Sequence, residues 1–259
     1  MSMLYTVANK LRARLIRTRL DHVNKQRFVI NIVTTWKINC GIATYSSFLI
    51  NHFKKAQIRL VPISKPHSSN PVFFLVSGLK AGREGGIVHI QFEYGIFGRL
   101  KLFGHSITGW GVIPFFLSLL LFGKAWVVTT LHEISPDAYE KFLWKKFLTK
   151  FVWGLSDAVI VHNQRSKEFL SSYHGINRKI HVVPMGTYEK PMFLDKDACK
   201  EQLGLSGKRV ITILGYVNRE KGHDMLIDIL PSLNPDICLL IAGGPRLKHD
   251  ELYYKELQT

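Results

Sequence analysis

The sequence predicts an α/β fold built on a doubly wound parallel sheet, followed by a second, smaller α/β unit. Three observations carry this. Short β-branched and apolar runs alternate with amphipathic stretches through the first 186 residues. The same strand–turn–helix plan begins again at Lys208–Gly215. With 46% hydrophobic residues in 259, the chain has enough apolar surface for a full core and belongs with folded proteins.

Residues Leu4–Val23 read as a basic amphipathic helix. Leu4, Val7, Ala8, Leu11 and Leu15 share one face, flanked by Lys10, Arg12, Arg14, Arg17 and Arg19. Such a stripe fits an anionic lipid interface or a dock on the first lobe equally well. The arginines interrupt the apolar residues, so this stretch does not read as a secretory signal. Arg27–Thr34 is the first strand. A helix over Ile42–Lys55 follows, with Ile42, Tyr45, Leu49 and Phe53 expected on its buried face.

Pro71–Leu75 fits either a strand or a helix. Gly86–Gln91 is a strand that ends in the polar loop Glu93–Gly95. Pro114–Phe122 reads as a helix, with Pro114 in its first turn and Gly123 as its stop. Its apolar run is too short to span a membrane, which leaves a helix packed on the sheet or lying in a membrane interface. Ala125–Leu131 is a buried strand ending at His132 and Glu133. Then come a helix over Tyr139–Trp153, a strand at Ala158–His162, a helix from near Ser166 and a strand at Lys179–Val183. Pro184-Met185-Gly186 closes the lobe. The expected organisation is a basic helix at 1–26, a first lobe at 27–186, a linker at 187–207 and the start of a second lobe at 208–259. In that lobe, strands Lys208–Gly215 and Ile237–Gly244 bracket one turn and helix.

Lys and Arg outnumber Asp and Glu by 35 to 19, a net charge of +16. That excess calls for an anionic partner: lipid headgroups, phosphorylated substrates or nucleic acid. Charge alone supports the last, so a nucleic-acid partner is not expected. Cys40, Cys199 and Cys238 are far apart and odd in number, which argues against a disulfide framework and for a reducing cytosol. Without a His-Glu-x-x-His pattern or a Cys/His cluster, no metal site is expected. Neither a G-x-G-x-x-G nor a Walker loop occurs, and no G-x-S-x-G elbow, which counts against dinucleotide, ATPase and hydrolase chemistry.

In doubly wound folds ligands lie beyond the carboxyl ends of the strands. Gly41, in the first turn, lets backbone approach a ligand whose phosphate the following helix N–H groups can hold. Glu93 and His132 end their strands on that side, suited to orienting hydroxyls or accepting a proton. His89 and His162 read as structural. Arg219 and Lys221, in the turn after Gly215, are two cations suited to a departing diphosphate.

Together these segments resemble family 4 of the GT-B glycosyltransferases. The resemblance rests on Cys40–Tyr45, Val88–Gly98, Thr130–Glu133, Asp157–Asn163, Val182–Gly186, and Gly215–Gly222 with Asp224. Their order and spacing span nearly the whole chain. The resemblance implies two Rossmann-like lobes, the first binding acceptor and the second a nucleotide-sugar. It also implies retention of anomeric configuration, no essential metal and no cofactor besides the donor. On this analogy Gly41, Arg219 and Lys221 contact donor phosphates, His132 and Glu93 are catalytic, and Tyr45 and Glu133 face the acceptor. Cys40 replaces a glycine common in the family, and Tyr216 replaces a common arginine.

The implied enzyme transfers a hexosyl group to a lipid-linked or cell-surface glycan, peripherally on the cytoplasmic face of the cell membrane. The family's nucleotide pocket and paired glutamates have no counterpart before Thr259, so the 259 residues are expected to be a fragment, inactive alone. The alternatives are a noncatalytic membrane-associated binding module, or half of a split enzyme completed by a partner chain.

Overall fold

The computed structural model describes residues 29–258, apart from 39, 54–55, 64–67, 84, 103, 123–124, 135–138, 140, 175–178, 187–193 and 246–247. The helix expected at Leu4–Val23 lies outside the described residues. Two compact units divide the chain, Met1–Gly186 and Thr187–Thr259.

The first unit opens with β1 (Val29–Thr34), α1 (Gly41–His52), β2 (Gln57–Pro62) and α2 (Pro71–Gly82). It continues through β3 (Gly86–Phe92), the hairpin β4 (Arg99–Leu102) and β5 (His105–Thr108), and α3 (Val112–Phe122). Last come β6 (Ala125–Leu131), α4 (Leu143–Leu155), β7 (Ala158–Val161), α5 (Gln164–His174) and β8 (Ile180–Val182). Six parallel strands form one sheet in the order β2-β1-β3-β6-β7-β8. The chain steps outward from β1 to β2, then returns past β1 to β3, so the winding direction reverses between β1 and β3. A crevice at such a reversal is where doubly wound folds bind ligands.

Burial follows from composition. β1 and β3 carry Ile32, Val33, Val88 and Ile90, all inaccessible to solvent, as strands covered on both faces require. Phe74, Phe92, Phe97, Phe115 and Phe116 fill the layer between sheet and helices. Phe97 stacks on Phe92 at 5.6 Å and meets Phe115 edge-on at 5.4 Å, arrangements that favour the ring quadrupoles.

The structure settles one open reading and corrects others. The segment from Pro71 is a helix. Asn70 caps it, its side chain accepting the Val72 N–H at 2.9 Å, and Pro71 takes the first turn, where its missing donor costs nothing. On α1 the buried residues are Ala43 and Ser46, whereas Ile42, Tyr45, Leu49 and Phe53 are only half-buried. A 2.7 Å hydrogen bond between Ser46 and Thr34 hydroxyls holds α1 close over β1, which favours small side chains beneath it. Strand β2 and the β4–β5 hairpin had no sequence assignment.

The second unit contains α6 (Lys196–Gln202), β9 (Arg209–Leu214), a 3₁₀ turn at Arg219–Lys221, α7 (His223–Ile229), β10 (Ile237–Ala242) and α8 (Lys248–Glu256). Helix α6 lies inside the stretch expected to be linker. The Asp195 carboxylate, accepting from the N–H groups of Asp197 and Ala198, starts it. β9 and β10 pair in parallel, Arg209 opposite Ile237 through Leu214 opposite Ala242.

Candidate functional site

From within the carboxyl-terminal half of β3 to the residues just beyond β6 and β7, three histidines and a glutamine form one polar chain. His89 and Gln91 are two residues apart on β3, so their side chains share a face. Register places Gln91 opposite Thr130 of β6. The Thr130 hydroxyl meets His89 Nε2 at 2.8 Å, and the Gln91 amide nitrogen reaches the same ring atom at 3.2 Å. From its other end, Gln91 Oε1 accepts from His132 Nε2 at 2.8 Å. His132 Nδ1 then faces His162 Nε2 at 3.4 Å, and His162 Nδ1 donates to the Val183 carbonyl at 3.1 Å.

Counting protons along this chain fixes its chemistry. With His132 protonated at Nε2 and His162 at Nδ1, the two nitrogens that face each other are both lone pairs while the rings are neutral. One added proton bridges them. Turning the Gln91 amide over reverses the direction: its NH₂ donates to His132, whose Nδ1–H then donates to His162. Gln91 therefore sets the tautomer of His132. Burial, then the neighbouring His162 and His89, push the His132 pKa down to about 4. Burial alone does the same to His89, also to about 4. At neutral pH His132 is thus an uncharged imidazole, able to accept or donate one hydrogen bond.

Tyr45, one turn into α1, covers this chain edge-on, its ring 5.1 Å from His132 and 5.6 Å from His162. Gly41 opens the same helix. Cys40 at the N-cap makes no side-chain cap bond, and no acidic residue occupies the first turn. A Cβ at Gly41 would meet nothing within 4 Å, so that helix end is open.

The two acidic candidates are engaged locally. Glu93 Oε1 accepts the Gly95 N–H at 2.8 Å, shaping its own turn. Glu133 pairs with Lys145 at 3.0 Å, and that ammonium also lies 4.8 Å from the centre of the Tyr94 ring. Burial raises the Tyr94 pKa, hydrogen bonds with Thr149 and Tyr139 oppose the shift, and the Glu133 and Glu93 carboxylates add to it. No group of three or more His, Cys, Asp or Glu among the described residues is arranged to hold a metal ion.

In the second unit, Arg219 and Lys221 share the 3₁₀ turn that ends at Gly222, whose φ of 67° suits glycine. Arg219 is already occupied: it pairs with Glu256 and stacks over Tyr253 at 4.7 Å. The Lys221 ammonium is exposed, with no partner among the described residues.

No family model matches the chain. A curated relative, the D-inositol 3-phosphate glycosyltransferase of Xylanimonas cellulosilytica, is 32% identical over 102 residues, covering 36% of this chain and 24% of that protein. Among solved structures, Anabaena HepE (Alr3699) with UDP and glucose aligns over 89% of this chain at a TM-score of 0.58 and 16% identity. HepE with UDP-glucose aligns over the same share, at a TM-score of 0.55 and 16% identity. The chain has a GT-B glycosyltransferase fold. It spans 65% of the HepE chain and about a quarter of the curated relative.

Within this GT-B lobe the structure brings Tyr45 and His132 together and attaches His89, Gln91 and His162 to them. The two histidines read as structural are links in the chain that holds His132. Gln91 lies within the matched stretch Val88–Gly98, but a glutamine inside a strand carries no role readable from sequence. Only the β3–β6 register places it between two imidazoles.

Proposed function

We propose that this chain belongs to a retaining glycosyltransferase that moves a hexosyl group from a nucleotide-sugar to a glycan or lipid-linked acceptor. It works peripherally on the cytoplasmic face of the cell membrane. The observation that carries the reading is the Tyr45–His132–Gln91 arrangement at the winding reversal, in a fold shared with a protein solved with UDP and glucose.

The residues divide the work as follows. Donor phosphate lies against the open N-terminus of α1 at Gly41, where unsatisfied N–H groups and the helix dipole favour negative charge. In the second unit, the exposed Lys221 ammonium is suited to neutralise phosphate charge, while Arg219 in the same turn is held by Glu256 and Tyr253. Neutral His132, its tautomer set by Gln91, hydrogen-bonds a hydroxyl of the transferred sugar. Glu93 shapes the adjoining turn, and Tyr45 and Glu133 face the acceptor. The acceptor hydroxyl attacks the anomeric carbon on the face from which the diphosphate departs. As the new C–O bond forms, the C1–O bond to phosphate breaks, and the acceptor proton passes to the leaving phosphate oxygen.

The test is a titration of the 259-residue chain with UDP-glucose, followed through the His132 imidazole resonances. The expected result is a saturable shift that UDP reproduces in part. An unmoved His132 resonance at millimolar UDP-glucose would sink the reading. A second arrangement, in which a partner chain supplies more of the nucleotide pocket, is favoured by β9, whose Leu214 is 80% exposed. Affinity capture that recovers a donor-lobe polypeptide supports it, and its absence counts against it.

A further inference from the structure

We infer that the outer surface of helices α2, α3 and α4 is a docking face for anionic lipid. This rests on the membrane-peripheral part of the reading above, but not on the transfer chemistry. The three helices lie side by side. A Cβ on Gly78 of α2 would collide with the Phe115 carbonyl and the Ser118 hydroxyl of α3, so those two touch backbone to backbone. Phe116 of α3 meets Phe151 of α4 at 6.0 Å, and Phe151 stacks on Phe147 at 6.4 Å.

Helices on the surface of a soluble domain turn polar residues outward. These do not. Leu75 and Val76 on α2, Leu117 and Leu121 on α3, and Leu143 and Phe147 on α4 are all exposed, Leu121 and Leu143 by 80% and 77%. On α3 and α4 the exposed pairs are four residues apart, one above the other, so each helix presents a continuous apolar stripe. Large apolar side chains exposed on three neighbouring helices point to an interaction surface.

Charge identifies the occupant. None of the three helices contains an Asp or a Glu. Exposed Lys80, Lys141 and Lys150 border the patch. A second copy of the chain would set lysines against lysines, and the N-terminal segment carries Arg12, Arg14, Arg17 and Arg19, which repel them too. Anionic headgroups meet both requirements, taking the apolar stripes at the acyl boundary and the ammonium groups at the phosphates. At 11 residues α3 is about 16 Å long, far short of the ~30 Å hydrocarbon core, so it lies on the surface.

The experiment is flotation of the full chain with vesicles of equal phosphatidylglycerol and phosphatidylcholine, against vesicles of phosphatidylcholine alone. The chain should float with the anionic vesicles and lose binding as salt rises. The combined variant Leu117→Gln, Leu121→Gln, Leu143→Gln and Phe147→Gln should bind roughly tenfold or more weakly, with an unchanged circular dichroism spectrum. Deleting residues 1–26 should leave most of the binding. Should the apolar variant misfold, Lys80→Gln with Lys141→Gln and Lys150→Gln decides, since it should weaken binding and flatten the salt dependence. The inference is overturned if the folded variants float like the parent. Loss of all binding with residues 1–26, or a solution dimer that the apolar variant dissociates, overturns it equally. UDP-glucose titration of the same samples separates the two readings: flotation without nucleotide-sugar binding removes the transfer reading and leaves the docking face standing.

Discussion

Gln91 is a buried amide that makes no contact with solvent, yet it bonds two imidazoles at once. Replacing it with leucine keeps the volume and strands a donor or acceptor on each histidine. The expected cost is about 1–3 kcal/mol in chemical denaturation. The nitrogen resonances of His132 should change as well, because its tautomer is no longer imposed; an unchanged tautomer would show that His162 alone fixes it. Acid should act on the same chain. In the unfolded protein His89 and His132 take up protons near their ordinary value of 6.5, but in the fold they resist until about pH 4. Between those values the unfolded state binds more protons, so stability is full above pH 6.5 and falls as pH drops toward 4. His89 alone accounts for about 3 kcal/mol over that window. Denaturation midpoints measured from pH 7 to pH 4 should fall, and His89→Leu should flatten the slope.

At the level of elements, two features of α2 make opposite demands. Its start depends on a side chain, because Asn70 satisfies an N–H that Pro71 leaves next in line. Asn70→Ala should cost about 1 kcal/mol, read as a lowered Tm. Its middle depends on having no side chain, because Gly78 touches the α3 backbone. Gly78→Val should push α2 away from α3 and prevent stable folding, which expression and circular dichroism will show; a folded Gly78→Val protein would contradict that packing. The same helix shows why the sequence is only partly readable. β1, β3, β6 and β7 are covered on both faces, so each reads as a plain apolar run. Phe73-Phe74-Leu75-Val76 on α2 looks equally strand-like, and the cap that decides the matter is a single asparagine before a proline. β2 is an edge strand with Arg59 and Pro62 in its six residues, too polar to announce itself. Strand ends expose Glu93 and His132 to sequence reasoning, whereas Gln91 becomes visible only when two strands are laid in register.

Across the molecule, the two units differ in how their strands are covered. β3 has β1 on one side and β6 on the other, with Val88, Ile90 and Phe92 removed from water. β9 has one strand neighbour among the described residues, and its Ile211 and Leu214 are exposed. A two-stranded sheet is marginally stable by itself, and what firms up this one is local. Tyr253 is buried, its hydroxyl donating to the Asp224 carboxylate at 3.0 Å, while Arg219 covers its ring. Few buried apolar contacts and unpaired strand edges place a segment at the low end of opening free energies. Native-state hydrogen exchange should therefore find the amides of β3 and β6 slowest. Those of β9 and β10 should exchange on the order of a hundredfold faster, the ratio that a difference of ~3 kcal/mol produces. Tyr253→Phe should widen the gap, because it removes the bond to Asp224 without touching the first unit. Equal protection in the two sheets would mean that the whole chain opens as one cooperative body, and the second unit would then draw its stability from the first.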